Sequence, residues 1–280
     1  MLGVSVRTLA WVTATAASVA ALVACGGAEH SRSPSAGRGA PAAPPAPDAA
    51  IPTTPRALSR QLAEVDAALR RAIHGWRAGG APEGRPPDAV TLQALYVQRA
   101  LRLLARRPGL EAATIDRLSS RLARETREVT AALRDLRRLS AGWPAHRVVI
   151  GPPDPLGDLL RYYRAAQTRF GVRWQVLAAV NLVESAFGRV RNPSVAGAQG
   201  PMQFMPATWR AYGLGGEVKD PRDAILGAAN LLHQAGAPAS YAQALYAYNP
   251  SPAYVDAVRR FARLIARDRD AVYLLYSWRP

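Results

Sequence analysis

The apolar residues Leu58, Leu62, Val65, Leu69 and Ile73 recur at intervals of three and four, the spacing that lines one face of an α-helix. No stretch of the 280-residue chain sustains the period-two alternation of a half-buried strand, so an all-α fold is expected. A second helix is predicted from Asp88 to Arg107, with Leu92, Leu95, Leu101 and Leu104 on its apolar face and Pro108-Gly109 as its stop. A third is predicted through Ile115, Leu118, Leu122, Val129, Leu133 and Leu136, a near-heptad seam flanked by Arg and Glu. Residues 56–142 therefore read as a helical hairpin or bundle packed on the C-terminal part of the chain, or else as a binding module, and they carry no catalytic pattern.

Gly142 to Pro155, rich in Gly and Pro, reads as a linker to a second helical domain over 155–268, which on this reading folds alone. There Pro206 and Gly213 bracket one helix, and Asp220-Pro221 and Gly236 another. Ser240 and Ser251 fit as N-caps of the next two. Upstream, residues 25–55 are Gly, Ala, Ser and Pro, too poor in apolar side chains to form a core and suited to a semi-extended tether. Before them, Arg7 and the small apolar run from Leu9 to Ala24 form an export signal over residues 1–24. The run ends Leu22-Val23-Ala24-Cys25-Gly26-Gly27, which resembles a bacterial lipoprotein signal. That resemblance implies cleavage before Cys25 and lipidation of its thiol, with an ordinary cleaved signal or an uncleaved anchor as alternatives.

Cys25 is the single cysteine, so no intrachain disulfide and no clustered cysteine metal site is possible. The formal net charge is +16, carried almost wholly by arginine, since Lys219 is the one lysine. Such a charge suits anionic partners, but no nucleic-acid-binding motif accompanies it, and no nucleic-acid partner is expected.

The segment Arg173 to Gly188 reads as a mostly apolar helix stopped by Gly188, with Glu184 in its last turn beside Val180 and Phe187. Apolar neighbours and the negative end of the helix dipole both disfavour an ionised carboxylate, which suits a general acid. Taken alone, a helix-end glutamate still reads first as an exposed surface residue. Two further elements change its context: Gly197-Ala198-Gln199-Gly200-Pro201-Met202-Gln203-Phe204-Met205-Pro206, a Gly-rich turn running into a helix, and Tyr246-Ala247-Tyr248-Asn249-Pro250, a helix end followed by a turn.

In order and spacing, the Glu-Ser pair, the GPMQFMP turn and the AYN segment resemble the lytic transglycosylases of the goose-lysozyme-like fold, over about Leu156 to Ile265. The resemblance implies that Glu184 is the single catalytic acid/base. It also implies that Ser185, Gln203, Phe204, Tyr248, Asn249 and Tyr254 form the substrate site, with no cofactor and no metal. Amides suit sugar hydroxyls and N-acetyl groups, and aromatic faces suit sugar rings. Taken singly, Met202, Phe204, Met205 and Trp209 read as core. Two departures stand out: Pro250-Ser251-Pro252 replaces a Gly-rich continuation, and no second carboxylate falls at a catalytic spacing. The implied substrate is the glycan strand of peptidoglycan, cut without water to leave a 1,6-anhydro end. A hydrolytic muramidase of the same fold and a non-catalytic wall-binding lipoprotein are the rivals. The implied location is the cell envelope, with the exported chain anchored to the membrane by lipid at Cys25.

Overall fold

The computed structural model describes residues 43–79, 85–140 and 147–280. Eleven helices follow one another among the described residues: α1 Pro55–Ala78, α2 Asp88–Arg106, α3 Pro108–Ile115, α4 Ser120–Ser140, α5 Leu156–Phe170, α6 Trp174–Ser185, α7 Pro206–Tyr212, α8 Pro221–Gln234, α9 Tyr241–Tyr248, α10 Pro252–Arg267 and α11 Ala271–Tyr276. The only β pairings among these residues are two isolated antiparallel bridges, Ile150 with Val190 and Gln199 with Phe204. The all-α expectation holds. The export signal, Cys25 and the first part of the tether lie outside the described residues.

Proline starts helices here more often than it ends them. It occupies the first position of α1, α3, α7, α8 and α10, where its missing N–H has no intrahelical acceptor to lose. Pro108 therefore closes α2 and opens α3, where the sequence pattern predicts only a stop. The expected single helix through Ile115 and Leu136 is likewise broken. Ile115 ends α3, Leu118 lies in a turn, and α4 begins at Ser120. At the start of α8 the Asp220 carboxylate accepts the Asp223 N–H at 3.0 Å, and Ser240 accepts the Gln243 N–H at 3.3 Å before α9. Ser251 occupies the expected cap position of α10, but its side chain makes no capping bond.

α6 runs through the middle of the molecule. Every residue from Val176 to Ser185 is buried, because α5, α8, α10 and α11 all pack on it. That explains a helix with no polar face.

The N-terminal helices share this core. α4 lies along α10 in the most extensive helix–helix contact of the described chain, and one continuous apolar cluster runs from Leu58 to Trp278. Asp135 of α4 receives Arg260 of α10 at 3.1 Å, and Glu128 receives Arg263 at 2.9 Å. Arg70 of α1 joins Glu125 at 2.8 Å and Asp268 at 2.7 Å. Several arginines thus tie helices together. The expected Gly/Pro linker is also no free hinge in its described part. Gly151 donates to the Arg189 carbonyl at 2.8 Å, Asp154 to that of Phe187 at 3.0 Å, and Arg191 to that of Val149 at 2.9 Å. Among the described residues the apolar core takes in both α1–α4 and the later helices, and α11 and the tail join it. Trp278 is buried edge-on against Phe261 at 6.3 Å.

Candidate active site

α6 ends abruptly at Ser185. Ala186 (φ 51), Phe187 (φ 62) and Gly188 (φ 79) then adopt the left-handed region in succession. Two of the three carry side chains, so this exit is strained by about 1 kcal/mol or more for each and must be held from outside. The Ser185 hydroxyl supplies part of that hold, accepting the Gly188 N–H at 2.9 Å and donating to the Pro201 carbonyl at 2.6 Å. Asn181, one turn earlier, donates to the same carbonyl at 2.8 Å and accepts the Tyr163 hydroxyl at 2.6 Å. Gly188 is required where it stands, since a Cβ there would come within 2.1 Å of Asp154 Oδ2. The expected stop at Gly188 is thus a three-residue turn that begins after Ser185.

The Pro201 carbonyl belongs to the second motif, and these bonds pin that turn to the end of α6. Gln199 and Phe204 exchange both backbone hydrogen bonds at 2.8 Å, closing a loop around Gly200 (φ 74) and Gln203 (φ 49). The Gln203 side-chain amide donates to the Gly200 carbonyl at 3.0 Å. A Cβ on Gly200 would meet the Val218 carbonyl at 1.9 Å, so only glycine fits.

The third motif closes the site. Tyr248, the last residue of α9, donates its hydroxyl to the Met202 carbonyl at 2.6 Å, and Asn249 caps the helix as a buried residue. Proline at 252 starts α10 so that Tyr254 lies in its first turn, and the Tyr254 hydroxyl donates to Glu184 Oε1 at 2.7 Å. The departure at Pro250-Ser251-Pro252 is therefore the element that delivers Tyr254 to the carboxyl. The rings of Tyr248 and Tyr254 are parallel, 6.2 Å apart with 3° between their planes. Burial first, and then the nearby charge of Glu184, push both phenols well above their ordinary pKa, so both stay protonated donors.

Glu184 is 3% exposed, which overturns the surface reading of a helix-end glutamate. The other glutamate of this region, Glu217, is exposed. The structure joins Glu184 to Tyr254 by a hydrogen bond and Tyr254 to Tyr248 by ring stacking, Ser185 and Tyr248 both bond carbonyls of the turn that carries Gln203, and Asn249 is buried directly after Tyr248. Phe204 sits behind them as a buried ring, 5.1 Å from Trp209 and 5.9 Å from Tyr248. Sequence reasoning missed Asn181 and Tyr163, which sit on apolar helix faces. The one available signal was a lone Asn four residues before Ser185, the spacing of one helical turn. Among the described residues no group of three His, Cys, Asp or Glu side chains is arranged to hold a metal ion.

Residues 161–263 match the family model described as the transglycosylase SLT domain. Among curated proteins, the membrane-bound lytic murein transglycosylase F of Thiobacillus denitrificans is 32% identical over 119 residues, covering 40% of this chain. The matched region spans 25% of that relative's length. No solved structure matches the chain.

Proposed function

We propose that this chain, which carries a transglycosylase SLT domain over residues 161–263, is a peptidoglycan lytic transglycosylase with Glu184 as its sole acid/base. The observation that carries the reading is one buried carboxyl at the end of a buried helix, held by the Tyr254 hydroxyl at 2.7 Å. Most glycosidases use two carboxylates, whereas a substrate with an N-acetyl group can assist its own bond cleavage. Glu184 gives its proton to the oxygen linking N-acetylmuramic acid to N-acetylglucosamine. The C1–O bond breaks as the acetamido oxygen of the muramoyl sugar closes on C1. Glu184, now a carboxylate, takes the proton of the muramoyl 6-hydroxyl, and O6 displaces the acetamido oxygen from C1. One C–O bond replaces another, no water enters, and a 1,6-anhydro end results.

The remaining residues divide by what they touch. Gln203, Tyr248 and Asn249 surround the sugars, with Phe204 backing them. Tyr254 orients the carboxyl, and Ser185 holds the strained exit of α6 against the GPMQ turn. The name of the murein transglycosylase relative supports a cell-envelope location. We place the export signal at 1–24, the lipid on Cys25, the tether at 25–55 and the helical region at 56–142. No helix among the described residues is long and apolar enough to cross a membrane.

Glu184→Gln tests the chemistry. The amide keeps the size of the side chain and removes the transferable proton, so cleavage should fall by about 10²–10⁴-fold while glycan binding persists. Near wild-type turnover by this variant would refute the assignment. Loss of fatty-acid labelling in Cys25→Ser tests the anchor, and a wild-type protein that takes up no label removes it.

A further inference from the structure

A pocket lies where the start of α2, the 150–155 segment and the C-terminal tail meet. It encloses about 650 Å³, within the range of small-ligand sites. Arg85, Asp88, Pro152, Arg189, Tyr276 and Arg279 line it, and Glu184 does not.

Arg189 is the unusual member. It is 8% exposed, its Nη1 is buried, and no described residue accepts a hydrogen bond from that atom. Its guanidinium lies over the Tyr276 ring, 5.4 Å from the centroid. Burial lowers its pKa to about 10, opposed by Tyr276 and aided by Arg279, so it remains a cation at neutral pH. A buried cation with no counter-ion among the described residues is costly, and a ligand that supplied one would bind with that cost relieved.

The wall is built, not incidental. The Arg189 carbonyl is fixed by Gly151, and Val190 bridges Ile150. The tail is hooked to α2 by Gln98, which donates to the Arg279 carbonyl at 2.6 Å and accepts the Arg279 N–H at 3.1 Å. Arg189 also directly follows the strained turn after α6, five residues from Glu184.

We propose that this pocket binds a carboxylate of the peptide stems carried by peptidoglycan, a reading that rests on the wall-cleaving function above. Three arginines line one space, and a guanidinium fork matches a carboxylate in two parallel hydrogen bonds. Asp88 in the same wall disfavours a dianion such as phosphate and suits the amino group of a peptide. Prolines and Tyr276 give the apolar surface that aliphatic peptide side chains need. The glycan would then be gripped at the bond to be cut and again through its stem.

The test is calorimetry on the full-length protein with the free peptides that an amidase releases from peptidoglycan. Binding is expected, weakened by about 10- to 100-fold in Arg189→Gln and in peptides whose carboxyls are amidated. Wild-type KM should be lower for peptide-bearing glycan than for amidase-stripped glycan, and the gap should close in Arg189→Gln. Should that variant fail to fold, Arg279→Gln and Arg85→Gln carry the same expectation. No peptide binding by wild type, equal binding by the variants, or binding of inorganic phosphate that the peptides do not displace would each overturn the proposal. A protein that cuts neither glycan but binds the peptides refutes the proposed enzyme and leaves this site standing.

Discussion

Tyr254→Phe removes a single oxygen from the centre of the site. The hydroxyl donates to Glu184 Oε1 at 2.7 Å, while the ring is fully buried and stacked parallel to Tyr248. Phenylalanine keeps the ring and its packing, so the expected change is confined to the hydrogen bond. A hydrogen bond to a charged group contributes about 1.5–3 kcal/mol. If Tyr254 holds the carboxyl in its working orientation, losing that amount in the transition state lowers kcat/KM by about 10- to 150-fold. The loss should fall on kcat, because Gln203 and Asn249, the residues proposed to hold the sugar, are unchanged. It should also persist across neutral pH, since burial keeps the Tyr254 phenol protonated well above its ordinary range. Initial rates of muropeptide release, read alongside the melting temperature, decide the matter. A variant within about twofold of wild-type kcat would show that the bond does not organise Glu184, and the positioning role of Tyr254 would be withdrawn.

Gly200→Ala should destabilise the fold by at least about 2 kcal/mol in urea denaturation and depress cleavage, because the added methyl meets the Val218 carbonyl in the turn that presents Gln203. Asp154→Asn should raise the melting temperature at about pH 7 and less so at about pH 4. Burial pushes the Asp154 carboxyl up, so ionisation penalises the fold above its folded pKa and the penalty fades as pH falls through it; a larger gain in acid would refute this. A chain beginning at Pro155 should be insoluble or molten by circular dichroism and NMR, since α10 would lose α4 and the ion pairs of Arg260 and Arg263. A well-folded, active product would show that α1–α4 are dispensable.

The fold class was legible because apolar spacing of three and four is written locally, and so were the caps at Asp220 and Ser240. Breaks inside helical patterns were less so. Pro108 serves a stop and a start with the same residue, and only the backbone shows that both occur. The site motifs were visible as short strings, yet burial was not. Glu184 reads as a surface residue until four helices close around α6. Tyr254, which lies outside the AYN string, makes the direct bond to Glu184, because its approach depends on where Pro252 starts α10. The unity of the core was hidden in long-range contacts such as α4 on α10 and the tail on Gln98, which no local pattern encodes.

The most direct test of the central claim is mass spectrometry of the products released from purified peptidoglycan by the full-length protein. Cleavage by Glu184 with attack of the muramoyl 6-hydroxyl predicts glycan fragments ending in 1,6-anhydro-muramoyl residues, each lighter by one water than the hydrolysed fragment, and no such fragments from Glu184→Gln. Fragments with free reducing muramoyl ends would assign the chain to hydrolysis instead, and anhydro products that persist in Glu184→Gln would remove Glu184 from the chemistry.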